Sequence, residues 1–152
     1  MLKKILCIII LSAITLPAFS RTNNEIAKQL YANADRMEKQ SSAKADKARS
    51  DIASFMIDLN MLNFQEDKAQ WKPLISSYYY DSRSMQNIFS RYLGVYKSAD
   101  GKMMGIFDVN CEDYNDPQER MYGFVNTTDV YFTTTYKTKN GHNKGLAQKF
   151  CK

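Results

Sequence analysis

The chain has 152 residues, 44% of them hydrophobic and 24% charged, with a formal net charge of +5. That length fits one domain with a core of its own and needs no dense set of disulfide staples. An excess of 21 basic over 16 acidic residues is too small to argue for a nucleic-acid binder, and a single histidine, His142, excludes a His-based zinc site and leaves nucleophile–base catalysis without a placed base.

Met1-Leu2-Lys3-Lys4 is a short basic start, residues 5–16 are an apolar run interrupted by Ser12 and Thr15, and Pro17 ends it. Ala18-Phe19-Ser20 then puts small residues at the two positions a signal peptidase reads. The pattern predicts a secretory signal cut between Ser20 and Arg21. The competing reading is an uncleaved anchor, but the run is short for the ~20 residues a membrane span needs. Cys7 lies inside the run and does not close it, which argues against lipid attachment. Loss of Lys3 and Lys4 takes Lys+Arg from 21 to 19 and the net charge from +5 to +3. Cys111 and Cys151 remain. In an oxidising compartment they have one intramolecular pairing open to them, with two free buried thiols as the alternative. A bond closing that loop of about 40 residues is worth about 4 kcal/mol in the chain-entropy model.

Thr22-Asn23-Asn24-Glu25 has the form of a capping box. Apolar or small residues then recur in steps of three or four from Ile26 through Leu30, Ala34, Ala48, Ile52 and Phe55 to Leu62. This predicts a helix over most of 23–62, either continuous or broken near Ser41-Ser42, where the stripe thins to Ser and Ala. The second half carries the large apolar residues and belongs on a core. The first half is polar and alanine-rich, and it either lies across the sheet or projects toward a partner. Residues 21–64 read as a helical extension and 65–152 as a sheet domain.

Trp71 opens the sheet region. Residues 74–81, with Tyr78-Tyr79-Tyr80, have strand composition. Residues 88–97 and 102–111 alternate about the turn Ser98-Ala99-Asp100-Gly101 and predict a β-hairpin. An acidic loop around Pro117 leads to strands at 120–125 and 130–138. Residues 139–145 are a loop, and 146–151 a short helix that returns Cys151 to Cys111. The sum is an α+β fold: an antiparallel meander packed by a long N-terminal helix and a short C-terminal helix, with one disulfide.

There is no G-x-S-x-G and no phosphate-binding glycine loop, and no cofactor is expected. Asp108, Glu112, Asp113 and Asp116 offer oxygens to a hard cation but lack EF-hand spacing. A carboxylate pair for glycoside cleavage is a property of three-dimensional spacing and stays open. The richest set is aromatic. Tyrosine gives a large contact area at low entropy cost and is enriched at interfaces, though it is also an ordinary strand residue. Tyr78, Tyr80, Arg91, Tyr92 and Tyr96 form the candidate binding face, suited to a protein or an acidic glycan.

Tyr79-Tyr80-Asp81-Ser82 with Ser84-Met85 resembles the YYD-x-x-S-(I/M) segment of the bacterial surface-adhesin protein E family. Leu93-Gly94-Val95-Tyr96 is similar to the strand that follows it, Phe107-Asp108-Val109-Asn110-Cys111 to the strand ending in Cys, and Ala147-Gln148-Lys149-Phe150-Cys151 to the closing A-x-x-(Y/F)-C. The resemblance spans residues 71–151. It implies an antiparallel sheet with a packed helix and a Cys111–Cys151 bond. It also implies export in a Gram-negative bacterium, to the periplasm or beyond, and adhesion to host extracellular-matrix proteins. The chain departs from the family in having no lipid-attachment cysteine and in carrying the helical segment at 21–64. Two functional expectations follow. One is a non-enzymatic binding module using the tyrosine face. The other is a periplasmic accessory or inhibitor protein that engages its partner through the N-terminal helix. No nucleic acid partner and no transmembrane segment after cleavage are expected, and the oligomeric state stays open.

Overall fold

The computed structural model describes residues 21–75, 77–112, 118–125, 131–137 and 145–151. The predicted long helix is two helices. α1 (Asn23–Glu38) starts at the capping box: the Glu25 amide donates to the Thr22 hydroxyl at 3.2 Å and the Thr22 amide to the Glu25 carboxylate at 2.7 Å. α2 (Ser42–Met61) starts at Ser41, whose hydroxyl accepts from the Lys44 amide. A serine that satisfies an orphan donor at a helix start is a natural break. The helices fold back as an antiparallel hairpin. Near the turn Arg49 of α2 pairs with Asp35 and Glu38 of α1, and at the open end Asn23 bonds Asn60 at 2.9 Å. Ala34, Ala45 and Ala48 are buried, so the thin part of the stripe is a close contact and not a weak face.

Seven strands form one antiparallel sheet: β1 (Trp71–Pro73), β2 (Tyr78–Asp81), β3 (Gln86–Ile88), β4 (Arg91–Ser98), β5 (Met103–Asn110), β6 (Gln118–Val125) and β7 (Tyr131–Lys137). The order is β1-β2-β4-β5-β6-β7, with β3 paired to the first half of β4 and β2 to its second half. The predicted hairpin between β4 and β5 is present, with Val95 opposite Ile106 and Gly101 at φ 69° in its turn. Two expected strands are corrected. The one at 74–81 is β2 alone, because the chain reverses after Pro73 and lays Trp71 opposite Asp81. The one at 88–97 contains a second reversal at Phe89-Ser90, with Ile88 opposite Arg91.

The sheet is apolar on both faces. Alternation along β4, β5 and β6 puts Val95, Met104, Ile106, Tyr122 and Phe124 on one face, where they join Ile26, Leu30, Ile52, Phe55 and Leu59 in a single hydrophobic cluster. Phe55 meets the rings of Tyr122 and Phe124 edge-on at 6.4 and 5.5 Å, and the Tyr122 hydroxyl donates to Asp58 of α2. The helical segment 21–64 thus packs on the sheet and shares one hydrophobic cluster with it. The opposite face carries Tyr96, Phe107, Val109 and Met121 beneath α3 (Gly145–Phe150). The Cys111–Cys151 disulfide, with Cα atoms 5.4 Å apart, joins the end of β5 to the end of α3.

Asp81 organises the sheet's first reversals. It is 1% exposed and accepts from the amides of Gln70 at 2.7 Å, Arg83 at 3.1 Å and Ser84 at 3.2 Å. One carboxylate thus holds the entry to β1 and the turn leading to β3. Among the described residues no helix is long and apolar enough to cross a membrane.

Two stability measurements check this account. Asp81→Ala leaves three backbone donors without their acceptor, and urea unfolding is expected to show a loss of about 3 kcal/mol, with Asp81→Asn losing less. Reduction of Cys111–Cys151 should cost about 4 kcal/mol by the same assay, and a difference below 1 kcal/mol between oxidised and reduced protein would contradict the loop-closure account.

Candidate functional site

The candidate face of Tyr78, Tyr80, Arg91, Tyr92 and Tyr96 is not a single exposed surface. Tyr96 is 1% exposed and lies in the core. Gly105 sits directly opposite it. A Cβ there would come within 2.6 Å of the Tyr96 ring and 2.4 Å of the Tyr122 carbonyl, so the glycine is what lets the tyrosine lie flat on the sheet. Tyr78 meets Tyr96 edge-on at 5.6 Å. Tyr80 and Tyr92 pack on Phe150 of α3 at 5.9 and 5.3 Å, and Phe150 also stacks on Phe107 at 5.3 Å. The tyrosines are the seat of α3, half-buried or buried, and not a free working surface. Arg91 lies on the other face, because neighbours on a strand point to opposite sides. There it makes a two-pronged ion pair with Asp108, with one contact of 2.8 Å from Nε to Oδ1, and that pairing raises its pKa further.

The pairing also removes Asp108 from the carboxylates considered for a cation. Asp113, Asp116 and His142 lie outside the described residues, as do the side chains of Tyr131 and Tyr136. Among the described residues no group of three or more potential ligands is assembled for a metal.

The exposed apolar side chains lie elsewhere. Ile57 and Met61, one turn apart on the outer side of α2, are 60% and 65% exposed, Ile88 is 50% exposed and Phe89 is 98% exposed. β3 and the end of α2 meet at one end of the sheet. The Gln86 side-chain amide donates to the Met61 carbonyl at 3.0 Å, tying β3 to the end of α2. Ile88 shares its face with Gln86 and is the cross-strand partner of Arg91. Asp58, between Ile57 and Met61 on α2, lies within electrostatic reach of Arg91. The end of α2 and the β3–β4 turn thus both carry exposed apolar side chains, with the Arg91–Asp108 pair on the neighbouring strands.

Phe89 is the most exposed of these and stands at φ 56°. Positive φ at the first of two turn residues is the type II′ pattern, in which glycine is the usual occupant. A bulky residue there is strained by roughly 1–2 kcal/mol, and its ring recovers nothing from burial. The motif that marked the tyrosine face was composition, whereas this exposed set is visible in sequence only as Ile57 and Met61 falling off the stripe of Ile52, Phe55 and Leu59.

A second surface feature is a polar cleft of about 420 Å³ between the start of α1 and the link after α2, lined by Arg21, Asn23, Asn24, Asn60, Asn63 and Glu66, among others. Comparison with protein-family models, curated proteins and solved structures finds no match for this chain. The class that the fold defines is an antiparallel sheet covered on one face by a helical hairpin and on the other by a short disulfide-anchored helix.

One titration belongs to the tyrosine side. Glu119 is 4% exposed beneath α3 and accepts from the Ala147 amide at 2.6 Å. Burial raises its pKa above the ordinary carboxylate value, and the amide bond offsets this only in part. A carboxyl with a raised folded pKa binds its proton more tightly when folded, so stability falls as pH rises from the ordinary carboxylate range through the raised value. Glu119→Gln keeps an acceptor for Ala147. It is expected to flatten that fall in unfolding free energy above pH ~4.5 and to be at least as stable as the parent at pH 7. An unchanged slope would contradict the assignment.

Proposed function

We propose that the protein is an exported, non-enzymatic binding module of a Gram-negative bacterium, acting in the periplasm or beyond it, and that it docks a protein partner through Ile57, Met61, Ile88 and Phe89. The observation that carries this is Phe89. An aromatic ring is held in water, at 98% exposure, on a backbone conformation suited to glycine. Folding gains nothing from that choice, whereas an aromatic anchor that fills a partner's pocket is the kind of residue that dominates binding energy. Apolar neighbours on α2 and β3 widen the anchor into a patch, and the Arg91–Asp108 pair supplies a polar rim.

The resemblance of residues 71–151 to the surface-adhesin protein E family supplies the partner class, host extracellular-matrix proteins. The alternative, an accessory or inhibitor protein working through its N-terminal helical segment, draws on the same patch, since Ile57 and Met61 are on α2.

The test separates backbone from ring. Phe89→Gly relieves the turn and is expected to leave the protein equally stable or about 1 kcal/mol more stable by urea unfolding. It should weaken binding to immobilised matrix proteins at least tenfold. Met61→Lys should weaken binding similarly with little change in stability, and Tyr79→Ser on β2, which pairs with the other half of β4, should leave binding unaltered. Wild-type binding by Phe89→Gly and Met61→Lys together would sink the patch. Failure of the wild-type chain to bind any matrix protein would sink the adhesin reading and leave the accessory one.

A further inference from the structure

We infer that hydrolysis of the Ser20–Arg21 bond creates a charged terminus for which the fold holds a ready acceptor: the new α-ammonium of Arg21 docks on Glu66. The inference rests on reading residues 1–20 as an export signal, and it goes beyond that reading by assigning the new end of the chain a structural role. Glu66 belongs to a 3₁₀ turn, Glu66–Lys68, in the link between α2 and β1, 45 residues from Arg21. The backbone nitrogen of Arg21 donates to Glu66 Oε2 at 2.8 Å, and the Arg21 guanidinium reaches the same carboxylate through Nε at 3.3 Å and Nη2 at 3.4 Å. A second arm of the guanidinium donates to Gln29 Oε1 of α1 at 2.9 Å. Side-chain exposures of 22% for Arg21 and 20% for Glu66 leave the pair partly shielded from water.

The chemistry changes at that nitrogen when the bond is cut. Before hydrolysis it is a neutral amide with one hydrogen. A signal peptidase adds one water across the bond, leaving a carboxylate on Ser20, which departs with the leader, and an amine on Arg21, which takes a proton at neutral pH. The amine then has three hydrogens and a unit charge 2.8 Å from a carboxylate oxygen, and a charge-assisted bond is about twice as strong as a neutral one. Glu66 can serve one hydrogen. The others face a cleft whose lining includes Asn24, Asn60 and Asp67, where acceptors and water are at hand. Arg21 lies immediately before the Thr22 cap of α1. The docked terminus therefore clamps the start of α1 to the exit of α2, at the end of the helical hairpin opposite the Arg49 pairs.

The experiment uses the full chain exported by a bacterial host under its own leader, followed by mass measurement of the secreted form and urea unfolding. The mature chain is expected to begin at Arg21. Glu66→Gln should raise the unfolding equilibrium constant about two- to fivefold at pH 7, the range for a partly exposed ion pair, and less at high salt. A Gly-Ser insertion between Ser20 and Arg21 moves the ammonium two residues away while keeping the guanidinium, and it should produce a similar loss. The insertion penalty should vanish well above the usual α-amino range of about 7.7–8.0, where the terminus is neutral, while the Glu66→Gln penalty persists through the guanidinium. A mature chain beginning at another residue, or no cleavage at all, would overturn the processing assignment. Cleavage at Arg21 with equal unfolding constants for native and inserted termini would overturn the docking alone.

Discussion

A sheet that is apolar on both faces has no side to give to water, and this constraint shapes the rest of the molecule. β5 states it most plainly. Met104 and Ile106 are buried toward the helices, and Phe107 and Val109 are buried toward α3. Such a sheet has to be covered twice. The helical hairpin is a sufficient cover for one face, because its stripe from Ile26 to Leu59 brings large apolar area and the bond from Tyr122 to Asp58 fixes its placement. The second cover, α3, has six residues, far below the length at which a helix holds itself together. It persists because three devices act on it: the disulfide at Cys151, the Glu119 carboxylate on its first turn, and Phe150 among the rings of Tyr80, Tyr92 and Phe107.

This arrangement explains why Tyr80, Asp81, Phe150 and Cys151 are structural. Tyr80 supports Phe150, and Asp81 ties three backbone amides at the reversals around β1 and β3. Phe150 and Cys151 close the second face. Residues with such roles support the fold and are silent about a ligand. Binding is better sought where, among the described residues, covering stops. β3 and the end of α2 lie at the rim of the covered sheet, and there the apolar side chains Ile57, Met61, Ile88 and Phe89 stay in water.

What could be read in the sequence divides along physical lines. The β4–β5 hairpin was legible because the Ser98–Gly101 turn and the alternation on both sides agree. The disulfide followed from a count of cysteines. The stripe of small and apolar residues announced the helices, but not that the chain reverses at Ser41, because the alternatives of one straight helix and a hairpin bury the same stripe. The reversal at Phe89-Ser90 was illegible for a different reason: a phenylalanine at positive φ contradicts the turn chemistry on which such predictions depend. The tyrosine face failed on tertiary grounds, since Tyr92 and Tyr96 are strand residues whether or not α3 lies over them. Arg91 is separated from Tyr92 by the two-residue period of a strand, which sends adjacent side chains to opposite faces.

Local rules that a chain breaks without structural return are where function is best sought. At Asp81 the broken rule is a charge in the interior, and the return is three satisfied amides. At Glu119 it is again a buried carboxylate, and the return is the anchored start of α3. At Gly105 a residue poor in strands is repaid by the ring of Tyr96 lying over it. Asn63, at φ 51°, is of a residue type that tolerates the left-handed region. Phe89 alone among these has strain, full exposure and no contact that offsets either. Glycine would relieve the backbone, a polar residue would remove the exposed ring, and either change would leave the β3–β4 pairing of Ile88 with Arg91 in place. The fold therefore does not require this ring, and a partner that receives it gives the strain at this turn a purpose.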